Sequence, residues 1–470
     1  MAETGKKKRV VEPRVPMAER AAAERVRDFQ EVPQGYTLAQ AKAEARRCLQ
    51  CKKPTCIQGC PVRINIPKFI AQIAEGKIAE AYATIYEANT LVSVCGRVCP
   101  QEVQCEGACV LAKKYDPIAI GALERYVGDW AAENVPREKR DLGAEKGGAV
   151  AVVGAGPAGL TAAADLRRYG HHVVVFEALH EPGGVLTYGI PEFRLPRAIL
   201  KEELGRLTDT GVEIVPNCVI GKTLTVEELL GEFGAVFLAT GAGLPHFMGV
   251  PGEMALGVYS ANEFLTRVNL LYAYKFPEYP TPVKVGRRVA VIGGGNTAMD
   301  AARCAKRLPG VEESIIVYRR SRAEMPAREA EIHHAEEEGV RLELLQAPTR
   351  VLTDERGWVR GMEVVRMELG EPDASGRRRP VPVAGSEFIM EVETVIVAVG
   401  QAANPLISRT TEGLKVGRNN VILVEEETLM SSRPGVFAGG DAITGGTTVI
   451  EAMGHGRKAA ASINRYLQQR

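Results

Sequence analysis

The stretch that decides the fold is residues 149–178, which read AVAVVGAGPAGLTAAADLRRYGHHVVVFEA. An apolar run leads into Gly154, Gly156 and Gly159, an Ala-rich and Leu-rich segment follows, and a second apolar run closes on Glu177. The order of strand, glycine turn, helix, strand and acid is the dinucleotide-binding fingerprint. Its glycines allow a tight turn, close approach to a pyrophosphate and close packing of helix on strand, while the acid accepts hydrogen bonds from a ribose diol.

A second unit of this kind occupies residues 288–307, RVAVIGGGNTAMDAARCAKR. Its turn carries Gly293 and Gly295, and Ala298 stands where the third glycine would be. The fingerprint permits alanine at that position, so the sequence predicts two nucleotide sites.

The two units differ in charge where their second strands end. The first strand ends in Glu177, which would repel a 2′-phosphate and suits the ribose of FAD or NAD. The second strand is followed by Arg319, Arg320 and Arg322. Because arginine binds a phosphate bidentately, this second site is predicted to prefer NADP(H) over NAD(H). A solvated charge cluster in a loop is the alternative interpretation.

Two further glycine turns complete the layout of a pyridine-nucleotide flavoprotein. VFLATGA at 236–242 contains a short apolar strand and the glycine turn that ends it. GGD at 439–441 follows another short apolar strand. The first unit is expected to hold FAD and the second NADP(H). The predicted FAD residues in these motifs are Gly154, Gly156, Pro157, Gly159, Glu177, Thr240, Gly241, Gly440 and Asp441, and the predicted NADP residues are Gly293, Gly295, Asn296, Thr297, Arg319, Arg320 and Arg322.

The alternation of strands and helices from residue 150 onward implies parallel sheets and an α/β fold class. Thr37 with Gln40 is a capping-box start for a helix that precedes the first cysteines, whereas residues 1–35 are expected to form an extended or irregular arm. Residues 135–148 are interpreted as a linker. The predicted domains are a small helical iron-sulfur domain at 1–140, a discontinuous FAD domain at 148–255 and 400–470, and an NADP(H) domain at 256–399.

Bulk properties exclude several classes of partner. A chain of 470 residues is expected to form two to four domains, and a net charge of +1 gives no case for binding nucleic acid or an anionic membrane. No apolar run approaches the roughly 20 residues of a membrane helix. The basic opening at 6–9 lacks the apolar segment of a secretory signal, so a cytoplasmic location is expected.

Eight of the ten cysteines fall in two tight groups. Short cysteine spacing that ends in Cys-Pro is typical of iron-sulfur ligation, so two [4Fe-4S] clusters are predicted. Zinc and a disulfide scaffold are the alternatives. Cys218 and Cys304 are isolated and are expected to be buried small hydrophobes. The two groups are Cys48, Cys51, Cys56 and Cys60, followed by Pro61, and Cys95, Cys99, Cys105 and Cys109.

The motifs together resemble a known family over essentially the whole chain. The sequence is similar to the small subunit of NADPH-dependent glutamate synthase, and equally to the large subunit of NADH-dependent reduced ferredoxin:NADP oxidoreductase (Nfn). The N-terminal half of dihydropyrimidine dehydrogenase shares part of the pattern. The motifs that carry the resemblance are CLQCKKPTCIQGCP, CGRVCPQEVQCEGAC, AIGALERYVGDW, VVGAGPAGL, EPGGVLTYGIPEFRLP, VIGGGNTAMD, YRRSRAEMPAR and AGGD.

The resemblance implies a division of the cysteines between two clusters. One [4Fe-4S] cluster would be held by Cys48, Cys51, Cys56 and Cys109. The other would be held by Cys60, Cys99, Cys105 and a non-cysteine ligand, for which Glu124 is the available carboxylate. Cys95 is then left over. Four cysteines for each cluster is the competing assignment, in which Glu124 is an ordinary acid on a helix surface.

The resemblance also implies further flavin contacts. Thr448 would offer backbone contact near the isoalloxazine, where a helix start could stabilise a reduced flavin. His455 lies close to that helix start, and a packing or hydrogen-bond role is expected for it. The residues of EPGGVLTYGIP that would wrap the flavin are Gly183, Gly184, Leu186 and Gly189.

The expected function is that of an electron-transfer flavoprotein subunit. NADP(H) and FAD would exchange a hydride, and FAD would exchange single electrons with two clusters that connect it to a partner. Flavin-based bifurcation between NADPH, NAD and ferredoxin is ranked first, with a smaller FAD and [2Fe-2S] subunit that binds NAD as partner. The alternatives are the electron-input subunit of glutamate synthase, with its large subunit as partner, and a cluster-bearing scaffold without turnover.

Overall fold

The computed structural model describes residues 12–137, 147–374 and 376–469. Its N-terminal part is helical, and two short 3₁₀ helices, Gln101–Val103 and Val110–Lys113, lie between its last two α-helices. The helices are α1 (Ala22–Arg25), α2 (Leu38–Arg46), α3 (Thr55–Gln58), α4 (Ile66–Glu75), α5 (Ile78–Tyr86), α6 (Val92–Val98) and α7 (Ile120–Asn134). The predicted capping box at the start of α2 is formed, since the Thr37 side chain accepts from Gln40 N and Gln40 accepts from Thr37 N.

Two parallel sheets follow, together with a smaller antiparallel one. The remaining helices are α8 (Pro157–Arg168), α9 (Val185–Tyr188), α10 (Arg197–Thr208), α11 (Val226–Glu232), α12 (Ala261–Leu265), α13 (Asn296–Arg307), α14 (Glu329–Glu337), α15 (Leu406–Thr410), α16 (Asp441–Thr444) and α17 (Val449–Gln468). The strands are β1 (Ala149–Val153), β2 (His172–Phe176), β3 (Glu213–Val215), β4 (Ala235–Leu238), β5 (Leu244–Pro245), β6 (Val258–Ser260), β7 (Arg288–Ile292), β8 (Glu313–Tyr318), β9 (Arg341–Leu344), β10 (Gln346–Thr353), β11 (Val359–Pro372), β12 (Arg378–Pro382), β13 (Phe388–Met390), β14 (Thr394–Val397), β15 (Gln401–Ala402) and β16 (Val436–Ala438).

The first parallel sheet has the strand order β16-β4-β1-β2-β3, and the second has the order β6-β14-β7-β8-β9. The second sheet is formed by the chain between the strands β4 and β16 of the first, as expected for an inserted nucleotide unit. Where the chain leaves the first unit and returns to it, β5 and β15 pair as a short antiparallel ladder. Strands β10 to β13 form the antiparallel sheet, which extends the second unit. The α/β fold class is therefore confirmed, while the residue limits of the domains stay predictions.

The helical part and the first sheet share one continuous hydrophobic core. Within it α17 packs closely on α8, because Gly456 lets the helices approach: a Cβ there would lie 2.3 Å from the Ala158 carbonyl oxygen. Among the described residues, no helix combines the length and the apolar character needed to cross a membrane.

The lead-in before α2 is not a loose arm. Arg25 on α1 is 2% exposed, and its guanidinium donates to Glu337 at 2.7 Å and to Glu338 at 3.0 Å. The backbone of Val32 donates to the Phe193 carbonyl, so the lead-in lies across both nucleotide units. The expected irregular backbone is interrupted by the short helix α1, and the segment is packed against the rest of the chain. Residues 1–11 and 138–146, most of the predicted linker, lie outside the described residues.

Candidate functional site

A cleft of about 380 Å³ lies at the carboxyl end of the first sheet. Most of the residues predicted to bind FAD line it, and they come from six separate segments of the chain. Those residues are Gly154, Gly156, Pro157, Glu177, Gly184, Thr240, Gly241, Gly440, Asp441 and Thr448.

The first glycine turn has the geometry that a pyrophosphate site requires. Gly154 has a φ of +106°, and its N–H donates to the Phe176 carbonyl at 2.8 Å, so the turn is tied to β2. A Cβ at Gly159 would lie 1.9 Å from the Gly154 carbonyl oxygen, which leaves no room for a side chain between turn and helix. Gly156 faces open space, so backbone N–H groups at the start of α8 are accessible to an anion.

Glu177 is held in place by the turn itself. One carboxylate oxygen accepts from Ala155 N at 2.7 Å, and the other accepts from Leu179 N at 2.9 Å. Because each carboxylate oxygen has two lone pairs, these bonds leave acceptor capacity for a ribose diol. The position fits the predicted role.

Asp441 brings an unsatisfied acceptor to the opposite side of the cleft. Its Oδ1 is buried and has no hydrogen-bond partner within the described residues. Burial raises the pKa of this carboxyl to about 6. Buried acceptors without a partner are rare in folded proteins, so this oxygen calls for a donor from a bound molecule. A hydroxyl of the ribityl chain of FAD is a donor of the right kind.

The start of α17 forms the floor of the cleft. Thr448 caps the helix in a capping box with Glu451, and Thr447 to Val449 line the cleft. The partial positive charge of a helix N-terminus would favour a reduced, anionic flavin. His455 accepts from Gly440 N at 3.3 Å through Nδ1, and burial lowers its pKa. This contact matches the hydrogen-bond role expected for it.

The other predicted flavin residues support the cleft without lining it. Gly183 donates from its backbone N–H to the Ala155 carbonyl at 2.9 Å, which fixes the EPGG turn to the first glycine turn. Leu186 is fully buried, and a Cβ at Gly189 would meet the Val185 side chain at 2.7 Å. We infer that these residues shape the cleft through packing.

The second glycine turn repeats this geometry at the end of β7. Gly293 has a φ of +145°, and a Cβ there would lie 2.3 Å from the Ala398 carbonyl oxygen. Gly295 precedes α13, and Thr297 is exposed in its first turn. Asn296 uses its side-chain oxygen to accept from Arg328 N at 3.0 Å. The turn therefore presents the N-terminus of α13 as the first one presents that of α8.

The three arginines after β8 differ in their surroundings. Arg319 is exposed at the carboxyl end of the strand. Arg320 is 5% exposed, and it donates to Asp373 at 2.7 Å and to the Arg378 carbonyl at 2.7 Å. Arg322 pairs with Glu336 at 2.6 Å and with Glu329 at 2.5 Å. The buried ion pair of Arg320 disfavours its predicted contact with a nucleotide phosphate, and Arg319 is the best placed of the three.

The first cysteine set surrounds a small apolar cavity. The four sulfur atoms come from the residues after α2, the turn around α3 and the residue before the second 3₁₀ helix, so Cys109 lies beside the first group. Burial raises the pKa of the Cys56 thiol to about 11. All four side chains are partly exposed. The cysteines that line this cavity are Cys48, Cys51, Cys56 and Cys109.

The second set surrounds a separate, buried cavity lined by Cys60, Cys99, Cys105 and Glu124. Glu124 is 5% exposed and accepts from Asn89 Nδ2 at 2.8 Å, and burial raises its pKa to about 7. It is therefore not an acid on a helix surface. This is the set that the family resemblance implies.

Cys95 does not line this second cavity, but its thiol interacts with that of Cys99, which does. Its thiol donates to the Met453 sulfur at 3.5 Å, inside the core. Glu124 lines the cavity and Cys95 contacts a cysteine that lines it, so the choice between the two assignments stays a prediction. Cys304 and Cys218 lie in hydrophobic clusters, as expected.

The chemistry of these two sets fits iron-sulfur clusters. Burial raises the pKa of Cys60 to about 11, and it raises that of Cys105 further. A nearby metal charge would reverse this, because coordinated thiols are deprotonated. Within residues 12–137, 147–374 and 376–469, no three His, Cys, Asp or Glu side chains converge as a single-ion site. Ligands that surround a cavity suit a cluster of atoms better than zinc.

The three sites form a row. Ile66 and Ile120 line both cysteine cavities. The second cavity adjoins the flavin cleft through α17, since Ile450 lines that cavity and Thr448 lines the cleft. Gln104, on the same cavity, donates to the Thr448 hydroxyl at 3.2 Å. The order is flavin cleft, buried cavity, partly exposed cavity.

Three site residues escaped sequence reasoning. Gln104 and Gln101 lie between ligating cysteines and line the second cavity, and Arg328 closes the quoted motif YRRSRAEMPAR. The cysteine spacing predicts the sulfur ligands but gives no indication that the glutamines between them also line the cavity. Arg328 could have been identified from the motif YRRSRAEMPAR, because it is the last residue of that motif, which follows the second nucleotide unit.

Two family models match the chain. Residues 25–135 match "Dihydropyrimidine dehydrogenase domain II, 4Fe-4S cluster". Residues 148–456 match "Pyridine nucleotide-disulphide oxidoreductase". The fold and sites therefore define a pyridine-nucleotide flavoprotein oxidoreductase that carries an iron-sulfur domain.

Named relatives narrow the class. The chain is 38% identical to the glutamate synthase [NADPH] small chain of Escherichia coli, over 94% of both proteins. It is 41% identical to the NADP(+)-dependent formate dehydrogenase subunit beta of Moorella thermoacetica, over 88% of this chain and 60% of that subunit. The chain belongs to the glutamate synthase small-chain family.

A solved structure agrees in fold. Mycobacterium tuberculosis FprA in complex with NADPH superposes with a TM-score of 0.58 at 21% identity, over 69% of this chain and 85% of that one. The cofactor prediction of FAD, [4Fe-4S] and NADP(H) is confirmed by these comparisons together. The chain is thus an NADPH-dependent iron-sulfur flavoprotein oxidoreductase. Several relatives are named as subunits or chains, which implies partner subunits.

Proposed function

We propose that this chain is an electron relay in which the second nucleotide turn binds NADP(H), the first cleft binds FAD, and two [4Fe-4S] clusters lead from the flavin to a partner. The observation that carries the proposal is the row of cleft, buried cavity and partly exposed cavity. When bound, FAD supplies the conversion between hydride and single-electron transfer, which the protein side chains cannot perform. Cys60, Cys99, Cys105 and Glu124 would hold the cluster nearer the flavin.

The chain's own groups orient FAD and exclude water. Glu177 and the glycine turn position the nucleotide end of FAD, while Asp441 and the start of α17 position the end that reacts. A buried second cavity keeps solvent from the inner cluster, and a carboxylate ligand, being harder than a thiolate, would alter its potential. No acid, base or nucleophile is required.

For the physiological role we propose flavin-based bifurcation between NADPH, NAD and ferredoxin, with a smaller FAD and [2Fe-2S] subunit as partner. The lead-in at residues 14–32, RVPMAERAAAERVRDFQEV, resembles that of the Nfn large subunit and supports this role. The second candidate is electron input to glutamate synthase through its large subunit. The 94% coverage of both chains in the match to the Escherichia coli small chain favours that candidate. A scaffold without turnover is the third, and the intact glycine turns with Glu177 argue against it.

The experiment is anaerobic purification from the native host, followed by visible spectroscopy. Bleaching of a flavin band by NADPH supports the relay, and a colourless protein without iron or flavin contradicts it. A co-purifying partner several times longer than this chain indicates glutamate synthase. A partner of flavoprotein size, with ferredoxin reduction that requires NAD, indicates bifurcation.

Replacement of Arg319 by alanine is expected to raise KM for NADPH about 10-fold to 100-fold with little change in kcat. The reason is the loss of charge-assisted hydrogen bonds to a 2′-phosphate, which contribute roughly 1.5–3 kcal/mol. Steady-state kinetics with NADPH and NADH are the measurement, and KM for NADH should not rise. Arg418→Ala, at an exposed arginine outside the second unit, is the control. An equal loss with both nucleotides would contradict 2′-phosphate recognition.

The surface around the partly exposed cavity is strongly basic. Between Glu44 and Glu75 the sequence contains no acid, although the whole chain has a net charge of only +1. The exposed lysines around the first cysteine set are Lys52, Lys53, Lys68, Lys113 and Lys114. Such a surface would attract a carrier with an acidic surface, such as a ferredoxin, and speed its association.

Reversal of this charge, in the double variant Lys52→Glu with Lys53→Glu, is expected to raise KM for an acidic ferredoxin about tenfold at low salt. Stopped-flow reduction of the flavin by NADPH should be unchanged. The difference should shrink at high ionic strength, because exposed charges are screened there. Lys201→Glu with Lys222→Glu, on exposed lysines of the flavin unit, is the control. Equal KM values for both double variants would exclude this docking surface.

A further inference from the structure

Arg328 touches both a nucleotide turn and an iron-sulfur segment. Its backbone N–H donates to the Asn296 side chain at 3.0 Å, at the first position of α13. The preceding Ala327 donates to the Gly294 carbonyl at 3.2 Å. Two consecutive residues are therefore bound to the second glycine turn, so the position of Arg328 is set by that turn.

The side chain of Arg328 reaches the other way, to the segment between α6 and the first 3₁₀ helix. It donates to the Arg97 carbonyl at 3.1 Å, to Gln101 Oε1 at 2.9 Å and to Glu102 at 3.0 Å. A basic side chain bonded to the last carbonyls of a helix is a favourable C-terminal cap. Cys99, a proposed cluster ligand, is the C-cap residue directly after α6.

Gln101 connects Arg328 to the second cavity. It is 4% exposed, lines that cavity, and donates to the Cys95 carbonyl at 3.2 Å and the Gly96 carbonyl at 3.3 Å. A Cβ at Gly121 would lie 2.4 Å from the Gln101 amide nitrogen, so the amide is wedged against α7. The Gln101 side chain is thus held by the Arg328 guanidinium at its oxygen and by two backbone carbonyls at its nitrogen.

The charge of Arg328 also acts on the ligand segment. The guanidinium of Arg328 is bonded to the Arg97 carbonyl, just before Cys99, and to Gln101, which lines the second cavity, so its positive charge lies beside that cavity. The side chain of Arg328 is only 15% exposed, so water screens this charge weakly. The guanidinium is thus placed to stabilise negative charge in the second cavity.

We propose that Arg328 is a positioning residue that couples the second nucleotide turn to the inner iron-sulfur site and favours the reduced state of the cluster held there. Reduction adds one negative charge to the cluster, and a fixed positive charge nearby stabilises it. Because Asn296 holds the backbone of Arg328, nucleotide binding at that turn and reduction of the cluster should influence each other reciprocally. The inference rests on the proposed NADP(H) and iron-sulfur sites.

The test is the reduction potential of the inner cluster, measured by anaerobic titration with EPR detection, in the purified protein and in Arg328→Gln and Arg328→Lys. The potential of the glutamine variant should be more negative, and that of the lysine variant should stay close to the parent value. NADP⁺ should shift the potential of the parent protein, and the shift should be smaller in the glutamine variant. Arg287→Gln, at an exposed pair with Glu312 in the same unit, is the control.

The possible failures are distinguishable. An unchanged potential in Arg328→Gln, with full iron content, overturns this inference and leaves the relay intact. Absence of iron and flavin from the parent protein contradicts the relay itself. If the glutamine variant does not retain its clusters, Asn296→Ala tests the coupling at NADP⁺ concentrations that saturate this variant, because it releases the backbone of Arg328 without altering a residue that lines the inner cavity. An unchanged effect of NADP⁺ in that variant would also overturn the coupling.

Discussion

Replacement of Cys105 by alanine is expected to remove the inner cluster and stop electron delivery to a partner, while NADPH still bleaches the flavin. Cys105 lines the second cavity, between the flavin cleft and the outer cysteine set. Without its thiolate the cluster loses one of three sulfur ligands. Iron content should fall from about eight to about four atoms per chain, as expected for the loss of one [4Fe-4S] cluster. The measurements are iron analysis, stopped-flow reduction by NADPH, and reduction of the physiological partner.

The matched control is Cys95→Ala, at another buried cysteine of the same group. Cys95 bonds to the Met453 sulfur and does not line the cavity, so this variant should keep its iron and its electron transfer. A cost in stability of about 1 kcal/mol is typical of such a substitution. Loss of half the iron from Cys95→Ala, with Cys105→Ala unaffected, would reject the ligand set with Glu124. Loss from both variants would support four cysteines for each cluster.

The parts of this molecule that the sequence predicted are those that depend on local geometry. The fingerprint at residues 149–178 specifies a turn, a helix start and an acid within one short segment, and the structure has Glu177 bonded to Ala155 of that turn. The capping box at Thr37 is equally local. In each case a single physical requirement, a positive φ or an unsatisfied N–H, fixes the residue type.

The parts that the sequence could not predict depend on partners far along the chain. Arg25 is buried because Glu337 and Glu338 neutralise it from more than three hundred positions away, so its segment reads as a polar arm. Arg320 belongs to a nucleotide motif, yet its guanidinium donates to Asp373, which lies on a hairpin far along the chain. Whether Glu124 is an exposed or a buried acid likewise follows only from how α7 packs. Pattern and spacing carry no information about such pairs.

The second large effect is expected from Gly159→Ala, which should abolish retention of FAD. A Cβ at this position would lie 1.9 Å from the Gly154 carbonyl oxygen, far closer than two such atoms can approach. Because the clash is with backbone, α8 must move away from β1 and the pyrophosphate turn must open. Overpacking of this kind costs about 3 kcal/mol, which corresponds to about 100-fold weaker flavin binding if it acts on the site alone. Flavin content after gel filtration and thermal unfolding are the measurements.

Gly231→Ala is the matched control, since Gly231 lies within α11 and a Cβ there would meet nothing within 4 Å. Alanine is the better helix former, so this variant should retain its flavin and unfold at the same temperature or slightly higher. Iron content separates a local from a global effect of Gly159→Ala. If the cysteine cavities keep their clusters while the flavin is lost, the damage is confined to the cleft. Normal flavin content in Gly159→Ala would mean that the first turn does not hold the pyrophosphate, and the assignment of FAD to this unit would fail.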